Sequence, residues 1–208
     1  MDLTKNLDKL TSVDSFLDSE NNYILLDNKF LSNNTFEYVY FENSLIRRTR
    51  MINLEFNNCT FINVTFLSSD ISSCKFNNCY FKNVEIIDSK MLSVFINSSD
   101  FTSSKICNSQ INLSSFFDTK FNIFKFEENK ISDTYFKEVE FKNGVEFNSN
   151  NLNDVSIIKT SLKDINLSNN KLGKLTFSKI EKNELDGVVV STHQALELLS
   201  LFGIKVKD

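Results

Sequence analysis

Four cysteines and one histidine, beside the carboxylates, are the side chains best suited to chemistry in this chain. Cys59, Cys74 and Cys79 form no C-x-x-C pair, and no second ligand type stands near them, so neither a zinc site nor a redox motif is spelled out. A buried cysteine normally serves as a small hydrophobe, and that is the expectation here. Cys107 follows an apolar position and is expected to point outward. His193 stands alone, with no Ser/His/Asp order and no glycine-rich phosphate loop around it. Glu127, Glu128 and Asp133 are neighbouring carboxylates of the kind that do acid–base work in a cleft, but no cleft is encoded nearby. The sequence therefore reads as a non-enzyme with no cofactor and no metal.

The elements that position these residues follow from composition and period. The chain has 208 residues, 41% hydrophobic and 24% charged, enough for one domain with a real core. Phe occurs 21 times, Gly 4 times, Pro and Trp never. So little Gly and Pro argues against a loop-rich enzyme. The net charge of −4 excludes the usual basic nucleic-acid binder, so no direct nucleic-acid binding is expected. The opening Met1-Asp2-Leu3-Thr4-Lys5 has no signal pattern, and no run approaches the roughly 18–20 apolar residues that span a bilayer. The expectation is a cytoplasmic protein without membrane contact.

From Leu26 to Phe141 every fifth residue is apolar, 24 in succession. One residue is inserted near Gly144, and the series resumes at Phe147, Leu152, Ile157, Leu162, Leu167, Leu172 and Phe177. A period of five fits neither a helix nor a flat strand. It fits a chain that turns a corner every five residues, with four corners closing a square coil of twenty. The residue two before each apolar centre is repeatedly small or β-branched, as in Cys59, Val64, Ser69 and Cys74. A second period of twenty supports four sides. Phe41, Phe61, Phe81, Phe101, Phe121 and Phe141 form one ladder, and Met51, Ile71, Met91, Ile111 and Ile131 another. Asn57, Asn77 and Asn97 should stack outside. Seven to eight coils at a strand spacing of ~4.8 Å make a rod about 35–38 Å long.

The ends need caps, because each coil contacts only its neighbours. Leu3, Leu7, Leu10, Val13 and Leu17 fall at helical spacing and predict an amphipathic N-terminal helix, with Ser19 to Asn22 as the turn into the coil. Ser191 with Gln194 predicts a capping box opening a helix to Phe202, and Gly203 stands where a left-handed terminator belongs. That helix is apolar nearly all round, so one flank is expected to cap the coil and the other to meet a second chain. The expected dimer contact comprises Val188, Val190, Leu198, Leu199, Leu201, Phe202, Ile204 and Val206. Residues 1–22 would be the N-terminal cap, 23–180 the coil and 181–208 the capping and dimerisation segment.

Cys59-Thr60-Phe61-Ile62-Asn63 and Cys79-Tyr80-Phe81-Lys82-Asn83 resemble the motif of the pentapeptide-repeat family: small, polar, Leu or Phe, then two polar residues. The resemblance covers residues from about 26 to 180. It implies an all-β fold, a right-handed quadrilateral β-helix. The tail, from Leu185-Asp186-Gly187-Val188 through Gln194-Ala195 to Leu201-Phe202-Gly203-Ile204-Lys205-Val206, resembles that of the quinolone-resistance (Qnr-type) branch, and the single-residue register break places the chain with its loop-free members. That branch implies a homodimer through the C-terminus. It also implies a DNA-mimicking surface that binds a type II topoisomerase, DNA gyrase or topoisomerase IV, and protects it from quinolones. The acids expected to carry that contact are Glu127, Glu128, Glu138 and Glu140. From Phe36 to Ser178 the chain has 16 acidic and 16 basic residues, so the coil is neutral in sum and its four sides are expected to differ little. A neutral surface equally suits an interaction rod for an unrelated protein.

Overall fold

A chain that bends every five residues needs a bent backbone at every fifth position. The structure, a computed structural model, describes residues 3–177, 185–199 and 204–205. From Tyr23 to Glu138 every fifth residue is left-handed, 24 in succession with φ between 47° and 58°. Most are Asn, Asp or Ser, whose short polar side chains tolerate this region. The corners therefore do without glycine, apart from Gly144 (φ 67°) at the inserted residue.

Between corners run strands of mostly three residues, with the central side chain inward and its neighbours outward. They pair in parallel with the strands twenty residues away. On the first face Phe41, Phe61, Phe81, Phe101, Phe121 and Phe141 are direct register partners. The second face is centred on Leu26, Ile46, Phe66, Ile86, Ile106 and Phe126, and Tyr40–Arg47, Thr60–Leu67, Asp100–Cys107 and Lys120–Glu127 run continuously from first face to second. The third face is centred on Leu31, Met51, Ile71, Met91, Ile111 and Ile131. The fourth is an eight-stranded ladder beginning at Phe36 and ending at Phe177. The molecule is a right-handed four-sided β-helix of about eight coils. Near Gly144 the spacing rises to 21, so that Phe126 pairs with Phe147 and Ile131 with Leu152, and then returns to 20.

The interior is layered by size class. Rings on the first face stack with centroids 4.2–5.8 Å apart. The aliphatic ladder from Met51 to Ile131 is fully buried. Phe124 breaks the small-residue rule and fills that position with an aromatic, 4.6 Å from Phe121 and 4.7 Å from Phe126. Its register partner in the preceding coil is the small Ser104, and its N–H donates to Gly144 O at 3.1 Å, so the oversized side chain and the inserted residue lie together.

The small inward residues do more than fill space. Each can accept from a backbone N–H twenty residues earlier and donate to a carbonyl of the preceding coil. At the corner leading into the third face this repeats along the rod. Thr49 Oγ1 accepts from Lys29 N, Ser69 Oγ from Thr49 N, Ser89 Oγ from Ser69 N, and Ser109 Oγ from Ser89 N. Asn129, Asn150 and Asn170 continue the column: each side-chain oxygen accepts an N–H from the coil before (2.9, 3.0 and 2.9 Å), and each amide nitrogen donates to Ile106, Phe126 or Phe147 O (2.8, 2.8 and 2.7 Å). The outer ladder also forms, with Asn77 Nδ2 donating to Asn57 Oδ1 at 2.9 Å and Asn97 in register above.

The N-terminal end differs from expectation. In place of an amphipathic helix there is one 3₁₀ turn, Leu7–Lys9, then a strand Thr11–Val13 paired with Ile24–Leu26. Glu20–Asn22, expected as a turn, is a strand paired with Tyr40–Glu42. The reason is that Phe16 and Asn21 already fall in the five-residue series, ten and five before Leu26, so the coil takes them. Phe16 plugs the open end, its ring edge-on to Phe36, Phe41 and Phe56 at 5.6, 5.0 and 6.4 Å. Leu17, expected on an apolar face, is 60% exposed.

Ile123 is a β-branched residue held at φ 53° and 54% exposed, so its backbone strain is not offset by burial. Ile123→Asn should raise stability by about 1 kcal/mol, read as a higher urea midpoint at unchanged slope. An unchanged or lower midpoint would contradict the strain argument.

Candidate interaction surfaces

The last coil exposes carbonyls that need donors, and the C-terminal segment supplies them. Leu167 N donates to Val189 O at 2.8 Å and Val189 N to Ile165 O at 3.0 Å, adding one more rung. Gly187 makes the preceding turn at φ 72°. A Cβ there would press on the Asp164 carboxylate, and glycine takes the left-handed turn without that contact. The helix Thr192–Leu199 opens with the expected capping box: Ser191 N donates to Gln194 Oε1 at 2.7 Å, and Gln194 N to Ser191 Oγ at 3.3 Å. The same Gln194, buried, turns its Nε2 onto Leu167 O and Asn170 O at 3.0 and 2.7 Å. One side chain thus starts the helix and ends the polar column, a second role that the capping-box spacing alone does not signal.

The expected dimer residues divide. Val188, Val190 and Leu198 are partly buried against the coil core, so they belong to the cap side. Leu199 is half-buried and Ile204 is 50% exposed. Leu201, Phe202 and Val206, with the expected terminator Gly203, lie outside the described residues. Two further apolar residues point outward, Val189 and Leu196, each 48% exposed. His193 is exposed and its Nε2 lies 3.3 Å from Glu197 Oε1 on the next turn.

The four glutamates are not brought together. Glu127 and Glu128 sit at the outer edge of the second face. Glu138 and Glu140 flank the corner between the fourth face and the first. Lys159 Nζ holds Glu138 at 3.0 Å and Lys142 Nζ holds Glu140 at 3.5 Å. Lys159 stands 21 residues after Glu138, one coil plus the inserted residue, so that pairing was readable from the register. Glu127 and Glu128 face Cys107, whose thiol is pushed up first by burial and then by those two charges.

The inward cysteines act as weak counterparts of serine. Cys59, Cys74 and Cys79 Sγ donate to Phe36, Met51 and Phe56 O at 3.4, 3.2 and 3.3 Å. Burial pushes Cys74 up to about 12, and the hydrogen bond with Cys59 followed by burial raises Cys79, so both stay protonated and unreactive. Among the described residues no three His, Cys, Asp or Glu converge as metal ligands, and no helix is long and apolar enough to cross a membrane.

Left-handed corners every five residues, four parallel ladders and the twenty-residue register define the fold of the pentapeptide-repeat proteins. Solved structures agree. The chain is similar to two trypsin-treated variants of QnrB1, a plasmid-mediated fluoroquinolone resistance protein. The first has TM-score 0.59 and 16% identity, covering 90% of this chain and 99% of that one. The second has TM-score 0.54 and 17% identity, covering 91% and 100%. Full-length QnrB1 gives 0.52 and 14%, over 86% and 99%. At these identities the likeness is one of fold. The sequence matches no protein-family model and no curated protein.

Gln194→Ala should leave the Leu167 and Asn170 carbonyls without their donor and open the helix start, costing about 2–3 kcal/mol. Hydrogen exchange would show the loss in the last two coils first. Uniform loss along the rod would contradict the capping role.

Proposed function

We propose that this protein is a non-enzymatic binder of a type II topoisomerase, DNA gyrase or topoisomerase IV, and protects it from quinolones. The observation that carries the reading is the likeness to QnrB1 along nearly the whole of both chains. The tail that resembles the Qnr-type branch supports it, because its cap leaves an apolar flank outward at Val189, Leu196 and Ile204. Such exposed apolar residues at the end of the rod suit a second copy, and we place a homodimer there, with Leu199, Leu201, Phe202 and Val206 extending the contact. Two rods end to end would give a long, straight, duplex-like body. Its carboxylates would be attracted to a DNA-binding groove, Glu127 and Glu128 foremost because Glu138 and Glu140 are held by lysines.

That same pairing favours a second reading. A rod whose acids and bases balance in number and are partly paired is also suited to act as a scaffold for an unrelated protein.

A supercoiling titration of gyrase with purified protein, with and without ciprofloxacin, separates the two. Rescue under drug, or direct inhibition without it, is expected. No effect over a broad concentration range would move the assignment to the scaffold. Leu196→Asp should convert dimer to monomer by light scattering while leaving circular dichroism unchanged. A persisting dimer would remove the C-terminal interface.

A further inference from the structure

The charge of the coil is neutral in sum but not evenly placed, contrary to the expectation that the sides differ little. On the third face one outward row runs in unbroken register: Arg50, Asp70, Lys90, Gln110, Lys130, Asn151, Lys171. The outward row beside it, with Ser72, Asn112, Ser132 and Asn153, carries no charge. The two rows together sum to +3, whereas the same rows sum to −1 on the second face and to zero on the first and fourth.

Pairing sharpens the contrast. On the other strand rows Arg47, Lys75, Lys105, Lys125 and Lys142 each lie within 3.8 Å of a carboxylate, while among the described residues Lys82, Lys120 and Lys137 have no ion pair. On the third face only Lys90 does, at 3.8 Å from Asp70, and Asp70 is also engaged by the Ser72 hydroxyl. Among the described residues no ion pair involves Arg50, Lys130 or Lys171, and Arg50 instead lies over the Phe30 ring at 5.2 Å. All four cations are exposed.

The cations from Arg50 to Lys171 recur every second coil, which at the sheet spacing is about 9.6 Å, over about 29 Å in all. We propose that this face is a docking track for an acidic protein segment that carries one carboxylate in three residues. An extended polyproline-type chain has three residues per turn and rises ~3.1 Å each, so its same-side residues recur every ~9.3 Å. Nucleic acid fits less well. Its phosphates are about three times denser along a strand, at one per ~3.4 Å, and the whole protein is negative at −4. The proposal is independent of the topoisomerase reading, because it concerns a different face and an anionic partner.

The test is fluorescence anisotropy at low salt with three labelled probes. One is a peptide with Asp at every third position, one the same composition with its Asp residues in a block, and one a short DNA duplex. The spaced peptide should bind most tightly and weaken about tenfold between 50 and 200 mM salt, as a solvent-exposed ionic contact does. K90Q, K130Q and K171Q combined should weaken it at least tenfold, while K82Q with K120Q, on the first face, should leave it unchanged. Circular dichroism of both variants should match the parent. No binding at low salt, equal binding by the triple variant, equal binding of the blocked peptide, or tighter binding of DNA would each overturn the proposal.

Discussion

The hydrogen bond between an inward small side chain and the backbone of the coil before it is the contact on which this fold depends. Strand ladders hold the flat sides, but corners interrupt them, and a buried N–H or C=O left without a partner costs about 1–3 kcal/mol. At the corner into the third face Thr49, Ser69, Ser89, Ser109, Asn129, Asn150 and Asn170 meet that need coil after coil. Replacing hydroxyls by amides toward the C-terminus lets one residue bond in both directions, since Asn offers a strong acceptor and two donors. Gln194 then ends the column from outside the coil.

The outer surface follows from the same geometry. Because the coils repeat without drift, any residue type recurring every twenty positions becomes a straight line on the rod. Asn33 with Asn53, and Asn43, Asn63 and Asn83 in succession, join into amide ladders. Lysines opposite glutamates become ion pairs, as with Lys105 and Glu85. Such exposed pairs add little stability. Their main effect is to neutralise three faces and leave the third with its sign.

Much of this was legible in the sequence. The period of five located the core, and the period of twenty gave the faces and the register, including the break near Gly144. Two things were not. The corner conformation hides behind Asn, Asp and Ser, because left-handed backbone is usually sought at glycine. The N-terminal end was misread because Leu3, Leu7, Leu10, Val13 and Leu17 match helical spacing, while Phe16 and Asn21 match the coil. The coil prevails because Phe16 buries a whole ring against three others, more than one face of a short helix gains. At the other end the capping box was readable and its outcome was not. Sequence gives the helix but not which side it turns to the coil, and Val188, Val190 and Leu198 prove to be partly buried against the core.

The two ends also decide whether the rod stays finite. A coil whose last turn is bare presents strand edges, stacked rings and an open amide column, all in the register that another coil would offer. That is the template by which cross-β fibrils lengthen, one layer at a time. Phe16 and Gln194 occupy those templates with a ring and an amide that belong to no further coil. A chain that can stack like with like almost without limit is ended by two terminal side chains that offer no place to the next layer.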